Sequence, residues 1–325
     1  MNKPKALSTW QLIHDSLLRH IPVMLLYVLE SHGSSPGRQG FLMAVNLPGE
    51  MAGSIGGGIM EHKFIELAKE TLRNKAATLS IRTQYHDKKV THNQSGMICS
   101  GDQTILQYCV QPSDAQSVQA IVNCLKKGDT GLLTLSLSGI QFSTDLLPET
   151  DYEFTIRSEQ DWRYQERIGF TNHLFIVGGG HCALALSRIM STMDFCIHVY
   201  DNRPDLHTMQ LNDVAHDKTV VDDYAQLNNM IPSGNHQYVV VMTFGYRTDD
   251  QAIRALFDKS FRYFGVLGSQ TKINTLFAGY RAEGITEEKL NRIHAPIGLP
   301  IHSQAPEEIA VSIAAQIIQV KNKPE

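Results

Sequence analysis

The sequence lacks the features of a membrane, secreted or nucleic-acid-binding protein. No apolar run among the 325 residues approaches the roughly 20 residues of a membrane span. The N-terminal segment has no continuous apolar stretch typical of a signal peptide. The formal net charge is −4 and no long block carries one sign, which argues against a broad nucleic-acid surface. We therefore expect neither a membrane nor a nucleic acid as a partner.

Cysteine is also scarce. The five cysteines lie far apart, form no C-x-x-C pair and are odd in number, which favours reduced thiols in a cytoplasmic protein. Cys182 and Cys196 lie in apolar surroundings and are predicted to be core thiols. Two common catalytic signatures are missing as well, since the chain has no H-E-x-x-H and no Walker lysine.

The length and the residue pattern predict two domains, because a single core rarely exceeds about 250–300 residues. Residues 1–165 read as short strands mixed with helices, which indicates an α+β domain. The polar stretch Glu149–Gly169 is predicted to be the connection. In residues 172–325 apolar strands alternate with helices, which is typical of a doubly wound parallel sheet. The fold class is therefore α/β, with a C-terminal Rossmann-type parallel sheet and an N-terminal α+β domain.

A glycine turn opens the second domain. Gly178 and Gly180 directly follow an apolar strand, and Ala183 fills the third small position of the G-x-G-x-x-G/A fingerprint. Such a turn lets the backbone approach a pyrophosphate, and the following helix N-terminus favours negative charge. Asp201 ends the second strand, near the spacing of roughly 20 residues expected for a ribose-binding carboxylate. This favours NAD, and Arg203 leaves NADP open.

Two other interpretations of the turn stay open. A Rossmann fold can hold a ligand other than a nicotinamide dinucleotide, and a glycine turn can serve only to pack a helix on a sheet. His181, in the first turn of the helix, either donates to a phosphate or faces solvent. Ser269 and Lys272, after the fifth strand, form either a second anion contact or a plain helix cap.

Glycine is concentrated at one turn of the first domain. Gly56, Gly57 and Gly58 precede a helix, and such a run is usually kept where backbone approaches a ligand or another domain. Glu61 either belongs to that site or simply suits the positive end of the helix. Cys99, beside a flexible turn, is either a soft metal or sulfur ligand or an ordinary thiol.

Together these motifs resemble the XdhC/CoxI family, which are accessory factors for molybdenum hydroxylases such as xanthine dehydrogenase and carbon monoxide dehydrogenase. The resemblance runs from about Val28 to Val320. The matching segments are Gly33–Pro36, Gly40, Gly53–Gly58 with Glu61, Met97–Cys99 with Gly101, Gly178–His181, Asp201 with Arg203, Gly265–Ser269 with Lys272, Ala295–Leu299, and Pro306–Ala310 with Ser312–Ile313. The chain departs from the family's usual residues at Ile59 (cysteine), Ser100 (glycine), Phe244 (histidine) and Gln316 (glutamate).

The resemblance implies a cytoplasmic carrier that binds molybdenum cofactor (molybdopterin) and assists its sulfuration and insertion. The implied partners are an apo-molybdenum hydroxylase, a cysteine desulfurase and a second copy of this chain. A carrier requires no turnover chemistry, so no catalytic residue is assigned. The cofactor's phosphate is expected at the Gly178–His181 turn, and the molybdenum near Cys99, because Ile59 removes a second thiol.

The residues expected to hold the cofactor are Gly56, Gly57, Gly58, Glu61, Cys99, Gly178, Gly180, His181, Asp201, Ser269 and Lys272. An NAD(P)-dependent oxidoreductase is the alternative function, although no proton donor or substrate-orienting arginine stands out. A third hypothesis, suggested by Ile59 and Phe244, is a ligand-sensing module with a degenerate site.

Overall fold

The computed structural model describes residues 3–74, 79–85, 101–145 and 150–323. The chain divides into two compact units, Lys3–Gly169 and Phe170–Glu325. Each unit builds its own β-sheet core. Within the described ranges, no helix is both long enough and apolar enough to cross a membrane.

The N-terminal unit is built on a five-stranded antiparallel sheet. Its strands are β1 (Val23–Gly33), β2 (Leu42–Asn46), β3 (Met51–Gly53), β4 (Leu79–Tyr85) and β5 (Gly101–Cys109). Its helices are α1 (Ala6–Leu18), α2 (Gly58–Asn74) and α3 (Ala115–Lys127). The strand order is β3-β2-β1-β5-β4, so β1 is central. Leu25 and Tyr27 pack with residues of α1 and α3, whereas Leu26 and Val28 pack with residues of α2. Helices on both faces explain why β1 reads as an unbroken apolar run.

A second, four-stranded sheet corrects one prediction. Most of the polar stretch Glu149–Gly169 is not a connection but a hairpin of β8 (Tyr152–Ser158) and β9 (Asp161–Ile168). The hairpin pairs with β6 (Gly131–Ser136) and β7 (Gly139–Ser143) in the order β7-β6-β9-β8. In β9, Trp162 and Tyr164 are buried between charged neighbours, and β8 is exposed along almost its whole length. The charged residues therefore concealed the period-two pattern of a strand.

The C-terminal unit contains a six-stranded parallel sheet. Its strands are β10 (Asn172–Val177), β11 (Phe195–Asp201), β12 (Asp217–Val220), β13 (Gly234–Val241), β14 (Phe261–Val266) and β15 (Ile293–His294). Its helices are α4 (His181–Met190), α5 (His207–Gln210), α6 (Leu227–Met230), α7 (Tyr246–Leu256), α8 (Gln270–Ala282), α9 (Glu287–Asn291) and α10 (Pro306–Lys321). The predicted fold class is confirmed, although the two-residue β15 was missed.

The strand order β12-β11-β10-β13-β14-β15 reverses direction between β10 and β13. Leu174 and Ile176 of β10 pack against residues of α4 and α10 on one face of the sheet. Phe175 and Val177 pack against residues of α7 and α8 on the other. Such a switch point opens a crevice beyond the carboxyl ends of the strands, which is where sheets of this kind bind ligands.

Candidate functional site

The glycine turn between β10 and α4 lies at this switch point and is held on several sides. The Gly178 N–H donates to the Tyr200 carbonyl (2.7 Å). The Gly179 N–H donates to Asp201 Oδ2 (2.7 Å), and the Thr208 hydroxyl donates to the Gly179 carbonyl (2.6 Å). The turn is therefore fixed by β11 and by the segment that follows it.

The first and second glycines of the fingerprint have different reasons to be glycine. Gly178 has a φ of 108°, and a Cβ there would lie 2.3 Å from the Met242 carbonyl oxygen. It is required because the turn packs directly on the end of β13. Gly180 has an ordinary φ of −72°, and a Cβ there would meet no atom of the described residues within 4 Å. The backbone at Gly180 therefore faces open space that a ligand can enter.

The N-terminus of α4 presents donors to this space. Gly180 is its N-cap and supplies no side-chain cap, so the first-turn N–H groups lack the partner that a capping side chain would give. His181 begins the helix and is exposed. Uncapped N–H groups and the positive end of the helix dipole together favour an anion.

Asp201 is completely buried, and both of its oxygens are occupied. Oδ1 accepts from Arg203 N (2.9 Å) and Nε (2.8 Å), and Oδ2 accepts from Arg203 Nη2 (2.8 Å) and the Gly179 N–H. Burial acts to raise the pKa of Asp201, but the hydrogen bonds from Arg203 and Gly179 outweigh it and hold the pKa below its ordinary value. In this arrangement the carboxylate orders the turn and offers no oxygen to a ribose hydroxyl.

Arg203 also faces an aromatic ring. Its Cζ lies 5.5 Å from the ring centroid of Phe244, a geometry that allows a cation–π interaction. Phe244 follows β13 and is 85% exposed. A cation and an exposed ring thus lie together at the carboxyl edge of the sheet. The sequence pointed to both residues but not to their pairing, and their positions just after two parallel strands were the available signal.

Ser269 and Lys272 lie at the same sheet edge but have protein partners. Ser269 Oγ accepts from the Lys272 N–H (3.3 Å), as an ordinary helix cap does. Lys272 Nζ donates to the Leu267 carbonyl (3.1 Å) and to the carboxylate of Asp249, which is completely buried. Asp249 Oδ1 also accepts from Thr243 N (2.9 Å) and Oγ1 (2.6 Å). Lys272 therefore neutralises a buried acid and joins the segments after β13 and β14.

In the N-terminal unit, the Glu61 side chain accepts hydrogen bonds from the glycine turn that precedes its own helix, α2. Its Oε2 accepts from the Ser54 hydroxyl (2.6 Å), the Ile55 N–H (2.9 Å) and the Gly57 N–H (3.0 Å). Three donors that would suit an external anion are thus already used by a carboxylate of the protein. Hydrogen bonding to the turn, in addition to the helix dipole, explains an acid at this position.

The glycines of this turn approach backbone of the same unit. Gly56 has a φ of 126°, and a Cβ there would lie 2.4 Å from Gly37 N. The buried Gln103 side chain joins the two turns by donating to the carbonyls of Gly37 (3.0 Å) and Ile55 (3.3 Å). The close approach of Gly56 is therefore to backbone of its own unit, and a ligand at this turn stays a prediction. A Cβ at Gly57 would meet no atom within 4 Å in the part of the chain that the structure describes, and Gly58 begins α2 with a φ of 69°.

Within the C-terminal unit, the structure brings part of the predicted site together. Gly178, Gly180, His181 and Asp201 form one constellation. Ser269 and Lys272 lie at the same edge but are bound to protein groups. The Gly56–Gly58 turn and Glu61 belong to the N-terminal unit, and Cys99 lies outside the described residues.

Comparison with known families follows this division of the chain. Residues 174–317 match the XdhC Rossmann domain, and residues 16–83 match the XdhC and CoxI family. Together the two matches cover more than half of the sequence. The chain belongs to the XdhC/CoxI family.

Individual relatives of this XdhC/CoxI chain are distant. It is 23% identical over 317 residues to a protein from Bacillus subtilis (strain 168) described as a probable subunit of xanthine dehydrogenase, covering 92% of this chain and 93% of the relative. It is 22% identical over 306 residues to the uncharacterized protein YqeB from Escherichia coli (strain K12). That match covers 94% of this chain but 44% of YqeB, so the chain spans less than half of that relative's length.

A solved structure shares the fold. The crystal structure of a protein described as a xanthine dehydrogenase from Bacillus halodurans superposes with a TM-score of 0.70. The match covers 96% of this chain and 95% of the other, at 21% sequence identity.

Proposed function

We propose that this chain is an accessory factor of a molybdenum hydroxylase such as xanthine dehydrogenase. It binds molybdenum cofactor and assists its sulfuration and its insertion into the apo-hydroxylase. Family membership and the description of the Bacillus subtilis relative support the link with a hydroxylase. The observation that supports binding best is the uncapped N-terminus of α4 at the open side of Gly180.

A phosphate group fits the donors present at this turn. The uncapped N–H groups at Gly180 and His181 can donate to phosphate oxygens, and the helix dipole favours the charge. At the same end of the sheet, Arg203 offsets the negative charge of Asp201, so the buried carboxylate repels an anion less. The pterin's phosphate is therefore the part of the cofactor assigned to this turn.

The occupied carboxylate of Asp201 weighs against the oxidoreductase alternative. A dinucleotide site of the NAD type uses an acid at this position to accept the ribose hydroxyls. Here Arg203 and Gly179 already take both oxygens. Binding NAD in that manner would have to break at least one charge-assisted hydrogen bond of a buried group.

Partners and location follow the same proposal. A cysteine desulfurase supplies the sulfur, the apo-hydroxylase receives the cofactor, and a second copy of the chain completes a homodimer in the cytoplasm. Cys99 is the proposed soft ligand for molybdenum or for the transferred sulfur. Cys99→Ser is expected to reduce retention of molybdenum, measured by elemental analysis after gel filtration, while Cys109→Ser serves as the control.

The deciding experiment uses two variants of equal shape at one position. Gly180→Asn and Gly180→Asp both place a helix-capping side chain in the open space, so neither should lower thermal stability. Asp adds a negative charge to the same N–H groups. We expect Asp to weaken binding of molybdenum cofactor at least tenfold more than Asn does, as measured by anaerobic calorimetry.

Titration with NADH and NADPH is the companion measurement. Micromolar binding of either dinucleotide, without binding of molybdenum cofactor, would overturn the proposal in favour of an oxidoreductase. If the Asn and Asp variants bound the cofactor equally well, the phosphate would not bind at the N-terminus of α4.

A further inference from the structure

Three side chains with metal-binding chemistry converge on β10 and β11 of the C-terminal sheet, away from the carboxyl ends of the strands. The ligand atoms of His173, Cys196 and His198 all lie within 4.8 Å of one another. His173 and Cys196 are the second residues of β10 and β11, and His198 is in the middle of β11. The glycine turn lies beyond the other end of β10, so the two sites are separate and this one does not depend on the proposed function.

Strand register explains the convergence. In the parallel ladder His173 lies beside Cys196, and Phe175 lies beside His198. Residues two apart on a strand share a face, so all three ligand groups project from one face of the sheet. The ring of His198 stacks on that of Phe175, with centroids 4.8 Å apart and planes 14° from parallel, which fixes the orientation of its imidazole.

The distance between the two histidine nitrogens is close to the distance that a zinc ion requires. Nδ1 of His173 and Nε2 of His198 are 3.0 Å apart. Two nitrogens about 2.05 Å from a tetrahedral zinc lie about 3.3 Å apart, and a nitrogen and a thiolate sulfur lie about 3.6 Å apart. The two nitrogens are thus near zinc geometry, and the Cys196 sulfur lies within 4.8 Å of both.

A carboxylate supports the second imidazole. Asp217, on β12, has its Oδ2 2.7 Å from Nδ1 of His198. When Nδ1–H of His198 donates to this carboxylate, Nε2 of His198 keeps its lone pair, which faces Nδ1 of His173. This carboxylate–histidine arrangement is the usual outer-shell support of a metal-bound imidazole.

We propose that His173, Cys196 and His198 bind one Zn²⁺ ion, with Asp217 orienting His198. Imidazole and thiolate are ligands that zinc prefers, whereas Mg²⁺ and Ca²⁺ take oxygen ligands. A water molecule would complete a tetrahedral site, and the His198 side chain keeps 14% of its surface exposed to solvent. The ion joins the first two strands of the Rossmann unit at their amino ends.

The protonation states are compatible with this assignment. Burial lowers the pKa of His173 to about 4 and also lowers the pKa of His198, so both rings are neutral near pH 7 and keep a lone pair. Burial raises the pKa of the Cys196 thiol to about 12. Zinc therefore displaces the thiol proton to solvent when the Zn–S bond forms.

The test uses the full chain, stripped with a chelator under reducing conditions and titrated with Zn²⁺ and, as a spectroscopic probe, Co²⁺. We expect one equivalent of Zn²⁺ to bind and the melting temperature to rise. Bound Co²⁺ should show thiolate-to-metal charge-transfer absorption. Cys196→Ser should abolish that absorption and weaken Zn²⁺ binding at least tenfold, and Asp217→Asn should weaken it about 10–100-fold.

Cys124→Ser is the matched control, since Cys124 is also a buried free thiol but belongs to the N-terminal unit. It should bind both metals as the unaltered chain does. The proposal is overturned if the unaltered chain takes up no stoichiometric Zn²⁺, or if its Co²⁺ complex lacks the charge-transfer absorption. The Co²⁺ spectrum keeps the test decisive even if a variant fails to fold. Metal binding that survives both Cys196→Ser and His198→Gln would also reject it.

Discussion

Oδ2 of Asp201 accepts a hydrogen bond from the Gly179 amide at 2.7 Å, and the same carboxylate is bound by the Arg203 guanidinium. One buried acid thus holds both the turn after β10 and the cation after β11. Removal of its charge should loosen both the Gly179 turn and the Arg203 side chain at the carboxyl end of the sheet.

Asp201→Asn should lower the free energy of unfolding of the C-terminal unit by about 2–3 kcal/mol, because it leaves buried donors without a charged acceptor. Hydrogen exchange of peptides from β10 and α4 measures the loss. Trp10 and Trp162 both belong to the N-terminal unit, so tryptophan fluorescence should report an unchanged transition there. Asp205→Asn removes an exposed charge from the same segment and should stay within about 0.5 kcal/mol of the parent.

Asp201 also predicts a pH dependence. Its pKa is lower in the folded chain than its ordinary value of 3.8, so its contribution is fully present above that value and is lost as pH falls through the folded pKa. The stability difference between the unaltered chain and Asp201→Asn should therefore be constant near neutral pH and shrink below about pH 4. Urea denaturation across that range checks this, and a difference that grows on acidification would contradict it.

Gly178 and Gly180 provide a matched pair of substitutions in one turn. Gly178→Ala should cost about 2 kcal/mol or more, because its positive φ disfavours a side chain and the new Cβ would collide with the Met242 carbonyl. Gly180→Ala should change stability by less than about 1 kcal/mol, because its φ is ordinary and the space is open. Thermal denaturation followed by circular dichroism distinguishes them, and equal effects would show that the turn differs from this description.

Glu61 should stabilise the N-terminal unit without any ligand. Glu61→Ala removes the acceptor for Ser54, Ile55 and Gly57. It should lower the free energy of unfolding by about 2 kcal/mol. Denaturation followed by tryptophan fluorescence measures this change. Glu66→Ala on the same helix breaks only an exposed pair with Lys69 and should cost less than about 1 kcal/mol. An unchanged Glu61→Ala transition would contradict this structural role of Glu61.

The sequence predicted the Rossmann-type sheet because its strands are buried on both faces and therefore read as unbroken apolar runs. It also located the Gly178–Gly180 turn, since strand, glycines and helix follow one another locally. The hairpin containing Trp162 and Tyr164 was missed because charged residues alternate with the buried ones.

The hydrogen-bond partner of a side chain was harder to predict from the sequence than its position in the fold. Spacing identified Asp201 as an acid at the end of β11, but not that Arg203, two residues later, would occupy it. Lys272 on α8 donates a hydrogen bond to Asp249 on α7, and this contact exists only because the tertiary structure brings the two helices together. His173 and Cys196 are joined by strand register alone.

The hydrogen bonds that fix Gly178 and Gly179 have a kinetic consequence. The turn is ordered by its own protein partners, so an incoming anion need not organise this backbone and little conformational entropy is lost on binding. We therefore expect association at this turn to proceed in a single step, limited by encounter and charge, with no slow rearrangement afterwards.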